Sequence, residues 1–150
     1  MKNSFFKVLL PGTFIFFGQE LAAQTDHKAA AEEVVHAYFE ALNRADLSGL
    51  LENFASDAVL LPSAASTAKG IEGLKANYQY VFDNFGFNLR ETIESVVVTR
   101  DHAIVRSTSA GSLLIKATGE EVQDNFREVF VLKKVKNNWK IDTYIYNQSK

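Results

Sequence analysis

From Phe126 to Asn147 the chain reads FREVFVLKKVKNNWKIDTYIYN, two runs of β-branched and aromatic residues around a Lys-Asn-Asn turn. Such runs, broken at an Asn pair, read as two strands joined by a hairpin. Putting Asn137 and Asn138 in a two-residue loop sets Lys136 opposite Trp139, and every later pair follows by counting. Working backwards, the chain from Phe87 stays rich in Val, Ile, Phe, Thr and Tyr and is interrupted only at Arg100-Asp101 and Gly119-Glu120. Four long antiparallel strands are predicted, with Thr99 opposite His102 and Thr118 opposite Glu121.

That register sorts the side chains into two faces. Thr92, Glu94, Val96 and Val98 share one with Ala103, Val105, Ser107 and Ser109, then Phe126, Glu128, Phe130 and Leu132, then Trp139, Ile141, Thr143, Ile145 and Asn147. This face is apolar toward its turns, so it is the one that helices should cover. At its other end one row reads Arg90, Gly111, Glu128, Asn147: a carboxylate, a cation and an amide over a glycine that leaves room. Such a row suits a pocket, and a buried Arg90–Glu128 ion pair that fixes the register would leave the same trace. The opposite face carries Ile104, Arg106, Thr108, Val129, Val131, Tyr144 and Tyr146, a mixture that fits a subunit interface. A one-residue slip in any hairpin exchanges the two faces for the strands beyond it.

Upstream the period changes to that of helices. Thr25 and Asp26 can cap a helix from His27 to about Ala45, in which Val35, Tyr38, Phe39 and Leu42 fall on one side. Asp46 caps a second, with Leu47, Leu50, Leu51 and Phe54 inward, leading to a short strand from Ala58 to Leu61 that Pro62 stops. Ile71, Leu74, Tyr78 and Val81 mark a third helix from Gly70 to about Phe82, after an Ala/Ser-rich loop from Ser63 to Lys69. The prediction is an α+β domain: three N-terminal helices packed on one face of a curved, antiparallel-rich sheet of four long strands plus a short one.

Composition narrows the function. Among 150 residues, 16 Lys+Arg against 18 Asp+Glu leave no basic stripe for nucleic acid, and the absence of Cys removes disulfides, thiolate nucleophiles and thiolate metal sites. His27, His36 and His102 lack the spacing of a zinc site, and Ala110-Gly111-Ser112 lacks the surroundings of a nucleophile elbow, so neither a metal nor a cofactor is expected. Lys2 and Lys7 precede an apolar stretch from Val8 to Phe17, and Leu21-Ala22-Ala23 closes it, in the order of a secretory signal peptide. That stretch is about half of the roughly 20 apolar residues a membrane span needs. The expectation is a leader over residues 1–23 and one domain over 24–150, exported to a bacterial periplasm or the medium, with no membrane attachment after cleavage.

The order of elements, with Tyr38-Phe39-Glu40, Asn43-Arg44-Ala45-Asp46-Leu47, Phe54 through Pro62, Arg127 through Lys134 and Trp139 through Tyr144, resembles the nuclear transport factor 2-like superfamily. Within it the chain is similar to secreted SnoaL-like, ketosteroid isomerase-like proteins. The resemblance implies a cone-shaped sheet, a pocket inside the cone and homodimers through the sheet's outer face, here Val129, Val131, Tyr144 and Tyr146. Ketosteroid isomerase joins a carboxylate base to an oxyanion pair of a Tyr and a protonated acid. The Tyr matches Tyr38; the base position falls on Leu61 and Pro62, so the base is missing; Glu128 is the nearest inward acid for the remaining role.

Three readings stay open. In the first, the chain binds a small apolar or mixed-polarity molecule through Tyr38, Tyr78, Arg90, Glu128 and Asn147. In the second it is an isomerase, cyclase or dehydratase using Glu128 as acid or base and Tyr38 to polarise a carbonyl. In the third it is a homodimeric association domain with a vestigial pocket. A Glu128 carboxyl raised by burial favours the enzyme; one held down by Arg90 favours the structural ion pair.

Overall fold

A computed structural model describes residues 16–149 of the chain, so most of the expected leader lies outside the described residues. The first helix, α1 (Phe16–Asn43), begins earlier than the Thr25-Asp26 cap predicts. Leu21-Ala22-Ala23-Gln24 are good helix formers and no proline lies between Phe16 and Asp26, so the helix passes through those polar residues. Val35, Tyr38, Phe39 and Leu42 form its buried face, as predicted. The helix closes with the Asp46 N–H donating to the Ala41 carbonyl and the Ala45 N–H to Leu42, a Schellman closure that holds Ala45 at φ 52°. Asp46 then caps α2 (Leu47–Glu52), its carboxylate accepting from the Gly49 N–H at 2.9 Å.

Asn53 ends α2 by donating through Nδ2 to the Gly49 carbonyl, which frees Phe54 to open β1 (Phe54–Leu61), where the sequence pattern predicts helix. A two-residue strand that was not predicted, β2 (Ala68–Lys69), pairs antiparallel with Val59 and Leu60. Helix α3 (Gly70–Asn84) follows, with Leu74, Tyr78 and Phe82 buried. Then come β3 (Phe85–Val98), β4 (His102–Ile115), β5 (Glu120–Val135) and β6 (Asn138–Gln148). The sheet order is β2-β1-β6-β5-β4-β3, antiparallel except between β1 and β6, and it curls into a cone over the helices. Among the described residues no helix is long and apolar enough to cross a membrane.

The hairpins decide which residues meet the core. Between β3 and β4 the predicted loop holds, with the Thr99 N–H donating to the His102 carbonyl. Between β4 and β5 the loop has four residues, Lys116 to Gly119, and Ile115 pairs with Glu120. Gly119 takes φ 73° at its last position, where a left-handed residue is needed. Between β5 and β6 the loop is Lys136-Asn137, at φ 48° and 70°, the two positive values of a type I′ turn, so Val135 pairs with Asn138. Both corrections move the pairing by an even number of residues and leave each strand's inward face as predicted.

Two bulges do change faces. Glu94 is extra in β3, between the pairs Ser95–Arg106 and Ile93–Ser107, and Asp142 is extra in β6, between Ile141–Leu132 and Thr143–Val131. Beyond Glu94 the inward residues become Ile93, Glu91, Leu89 and Phe87; beyond Asp142 they become Tyr144 and Tyr146. Asp142 has a reason to stand out of the ladder: Lys133 Nζ lies 2.7 Å from its carboxylate and 2.7 Å from that of Asp57 on β1, tying three strands together. The end of α1 is fastened to β3 by Asn43, whose side chain donates to the Leu89 carbonyl at 2.8 Å and accepts the Leu89 N–H at 2.9 Å. Opposite Leu89 on β4 stands Gly111, whose missing Cβ would lie 2.1 Å from the Asn88 carbonyl oxygen.

Candidate functional site

The predicted row of Arg90, Gly111, Glu128 and Asn147 does not exist. The observed row is Ile93, Ser107, Glu128 and Tyr146. Arg90 pairs with Ala110 and Asn147 with Arg127, and both are exposed on the sheet's other face, because the bulges at Glu94 and Asp142 turn them outward. The same bulge moves Tyr144 and Tyr146 from the predicted outer interface to the inside of the cone. Val129 and Val131 stay outside, beside Ile104 and Ile145.

Between the cone and the helices lies a cavity of about 290 Å³. Its polar centre is Glu128, 4% exposed. Ser107 Oγ donates to Oε2 at 2.7 Å and Ser109 Oγ to Oε1 at 2.5 Å, both from the neighbouring strand β4. Burial pushes the carboxyl above the usual carboxylate range, opposed by the two serine hydroxyls and reinforced by the charges of Glu91 and Glu94. Among the described residues, no Arg, Lys or His lines the cavity. The proposed Arg90–Glu128 ion pair is therefore replaced by a buried carboxyl with hydroxyl partners alone.

The helices supply the facing wall. Tyr38 of α1 and Tyr78 of α3 meet at their hydroxyls, 3.0 Å apart, because each stands on the buried stripe of its helix. The Tyr38 ring sits edge-on to Phe39, Phe54, Phe130 and Tyr144, and Tyr144 stacks on Phe130 at 4.2 Å between centroids. Burial raises the hydroxyls of Tyr38, Tyr78 and Tyr144 well above the ordinary tyrosine value, so they remain neutral donors. Glu128 contributes to the rise at Tyr144, which places the carboxyl and that hydroxyl in one electrostatic neighbourhood.

The structure brings Tyr38, Tyr78 and Glu128 to one cavity and leaves Arg90 and Asn147 outside it. Leu60, Ser63 and Ala64 line the wall near the position of the isomerase base, with no acid among them, while Asp57 is exposed and held by Lys133. Sequence reasoning missed Asp124, which lines the cavity and accepts from Gln148 Nε2 at 2.7 Å. Alternation could have found it, since Asp124 shares its face of β5 with Phe126, Glu128 and Phe130. It also missed Tyr144 and Tyr146, and there the signal was a change of parity. The large apolar residues Trp139 and Ile141 are odd-numbered and Tyr144 and Tyr146 even-numbered, which only an inserted residue reconciles.

Residues 35–136 match the SnoaL-like domain family. No curated protein sequence matches the chain. A ketosteroid isomerase-like protein from Erwinia carotovora atroseptica SCRI1043 is 30% identical, with a TM-score of 0.79, covering 82% of this chain and 96% of that one. A proposed dehydratase from the NTF2-like family of Streptomyces avermitilis is 16% identical, with a TM-score of 0.70 over 85% of this chain and 99% of that one. An NTF2-like protein of unknown function from Shewanella baltica OS155 is 20% identical, with a TM-score of 0.63 over 84% and 96%. The last two likenesses are of fold alone.

Proposed function

This chain belongs to the SnoaL-like domain family, and from that premise we propose that it is an exported protein that binds one small, mainly apolar molecule inside the cone. The observation that carries the reading is the cavity itself: an aromatic enclosure with one deeply buried carboxyl and a hydroxyl pair to orient a polar group. The absence of an acid at Leu61 and Pro62 favours binding over the isomerase reaction. Native mass spectrometry of residues 24–150, purified without refolding and compared with the denatured mass, tests it. A small added mass that disappears in Leu113→Trp, which enlarges a side chain in the cavity wall, supports the reading. An added mass unaffected by that change would place the ligand elsewhere and overturn it.

A second reading, acid–base catalysis, is favoured by Glu128, whose carboxyl is raised by burial and has no cation beside it among the described residues of the cavity. Glu128 would carry the proton while the Tyr38–Tyr78 pair donates to a carbonyl oxygen. Exchange of α-protons of small ketones in deuterium oxide, catalysed by the wild type and lost in Glu128→Gln, would establish it; equal rates in the two proteins would remove it.

The outer sheet face supports a homodimer through Val129 and Val131 with Ile104 and Ile145, which are 46% and 38% exposed. Export is supported by Lys2, Lys7, the apolar stretch and Leu21-Ala22-Ala23. N-terminal sequencing of exported protein should begin at Gln24; an intact Met1 would contradict it.

A further inference from the structure

We propose that the cavity selects a small organic cation, an amine on an aromatic or alicyclic body, over neutral and anionic molecules of the same shape. The inference rests on the cavity being a small-molecule site and names the class of its ligand. Among the described residues twenty line the cavity, of which eight are Phe or Tyr, two are the carboxylates Glu128 and Asp124, and none is basic. Aromatic faces and carboxylates both attract a cation. An anion would be stripped of water among groups that offer it no countercharge.

The geometry around Glu128 sharpens this. Each carboxylate oxygen takes one serine hydroxyl and keeps a further lone-pair position for another donor. The charges that act on it are negative, Glu91 and Glu94 on β3, of which Glu91 is occupied by His36, at 2.6 Å, while Arg106 and Arg127 take the alternate positions of β4 and β5, on the sheet's other face. From β6 and the helices the groups facing this end of the cavity are neutral hydroxyls, those of Tyr38, Tyr78, Tyr144 and Tyr146. Beside Glu128, Tyr146 meets Phe126 edge-on at 5.9 Å and lies tilted against Tyr144 at 5.4 Å, forming an aromatic corner next to the carboxylate. A buried carboxylate without a countercharge is costly, and a ligand ammonium is the partner that no described residue supplies. With about 290 Å³ available, the body of such a ligand is one or two rings.

Calorimetric titration with 2-phenylethylamine, 2-phenylethanol and phenylacetate at neutral pH tests the proposal, because the three share a ring and differ mainly in charge. The amine should bind about tenfold tighter than the alcohol or more, with phenylacetate weakest. In Glu128→Gln the amine should fall to the level of the alcohol, while retained alcohol binding shows that the cavity is intact. If the alcohol or phenylacetate equals the amine, the cation inference falls and the binding reading stands. If none of the three binds, both fall. An amine preference unchanged in Glu128→Gln would overturn the role given to that carboxylate.

Discussion

Glu128 shows most plainly how one residue's surroundings set its chemistry. Its carboxyl is raised in the folded protein, so folding favours the protonated form: this stability is complete below the unfolded carboxylate range and is lost as pH rises through the folded value. Glu128→Gln should therefore melt higher than the wild type at pH 7, with the difference closing as the pH falls below the carboxylate range. Thermal unfolding across pH checks this, and a gap that widens on acidification would refute it. Ser109→Ala removes one of the two donors that hold the charged form and should cost about 1–3 kcal/mol at pH 7, measured by denaturant unfolding. The residue was legible in the sequence as an inward acid on a strand. Its partners were not, because serines opposite an acid become significant only when the register is known to the residue.

At the scale of elements, the existence and order of the helices and long strands followed from periodicity and turn residues. Counting across hairpins failed where a strand holds one residue more than its partner. Glu94 and Asp142 each add a residue without any glycine or proline to announce it, and their effect is to turn Arg90 and Asn147 out and Tyr144 and Tyr146 in. The parity of the bulky residues carries this information: Val96 and Val98 are even-numbered where Phe87, Leu89 and Ile93 are odd. Backbone fit gives two further expectations. Gly111→Ala would drive a Cβ to 2.1 Å from the Asn88 carbonyl at a φ of +154°, so it should cost several kcal/mol, about 3 or more, or prevent folding altogether. Ala45→Gly, at the left-handed closure of α1, should stabilise by about 1 kcal/mol, since only the Cβ makes that conformation costly. Chemical denaturation of the two variants checks both signs, and a neutral Gly111→Ala would show that the β3–β4 approach is looser than described.

For the whole molecule, the cone has two uses for its sheet. Its inner face builds the core toward the β3–β4 and β5–β6 hairpins and the cavity toward the β4–β5 hairpin, and its outer face leaves Val97, Ile104 and Ile145 exposed near Val129 and Val131. Val131→Asp should convert a dimer to a monomer in analytical ultracentrifugation while leaving cavity binding in place, since the side chain points away from Glu128. A dimer that survives this change would move the interface elsewhere. The family assignment and the architecture were legible in the sequence because they depend on patterns spread along the chain. The composition of the cavity was not, because it depends on which side of two bulges each residue falls.

Glu128, a buried carboxyl with two serine hydroxyls as partners and no cation among the described residues of the cavity, is the centre of the site. Its titration, followed through the side-chain carboxyl carbon in NMR spectra and assigned by the signal missing from Glu128→Gln, measures this most directly. The midpoint should lie above the ordinary glutamate range in the free protein and move down when 2-phenylethylamine is added. A midpoint at or below the ordinary range in the free protein would mean that the carboxyl is solvated or already paired with a positive charge, and would contradict this picture of the site.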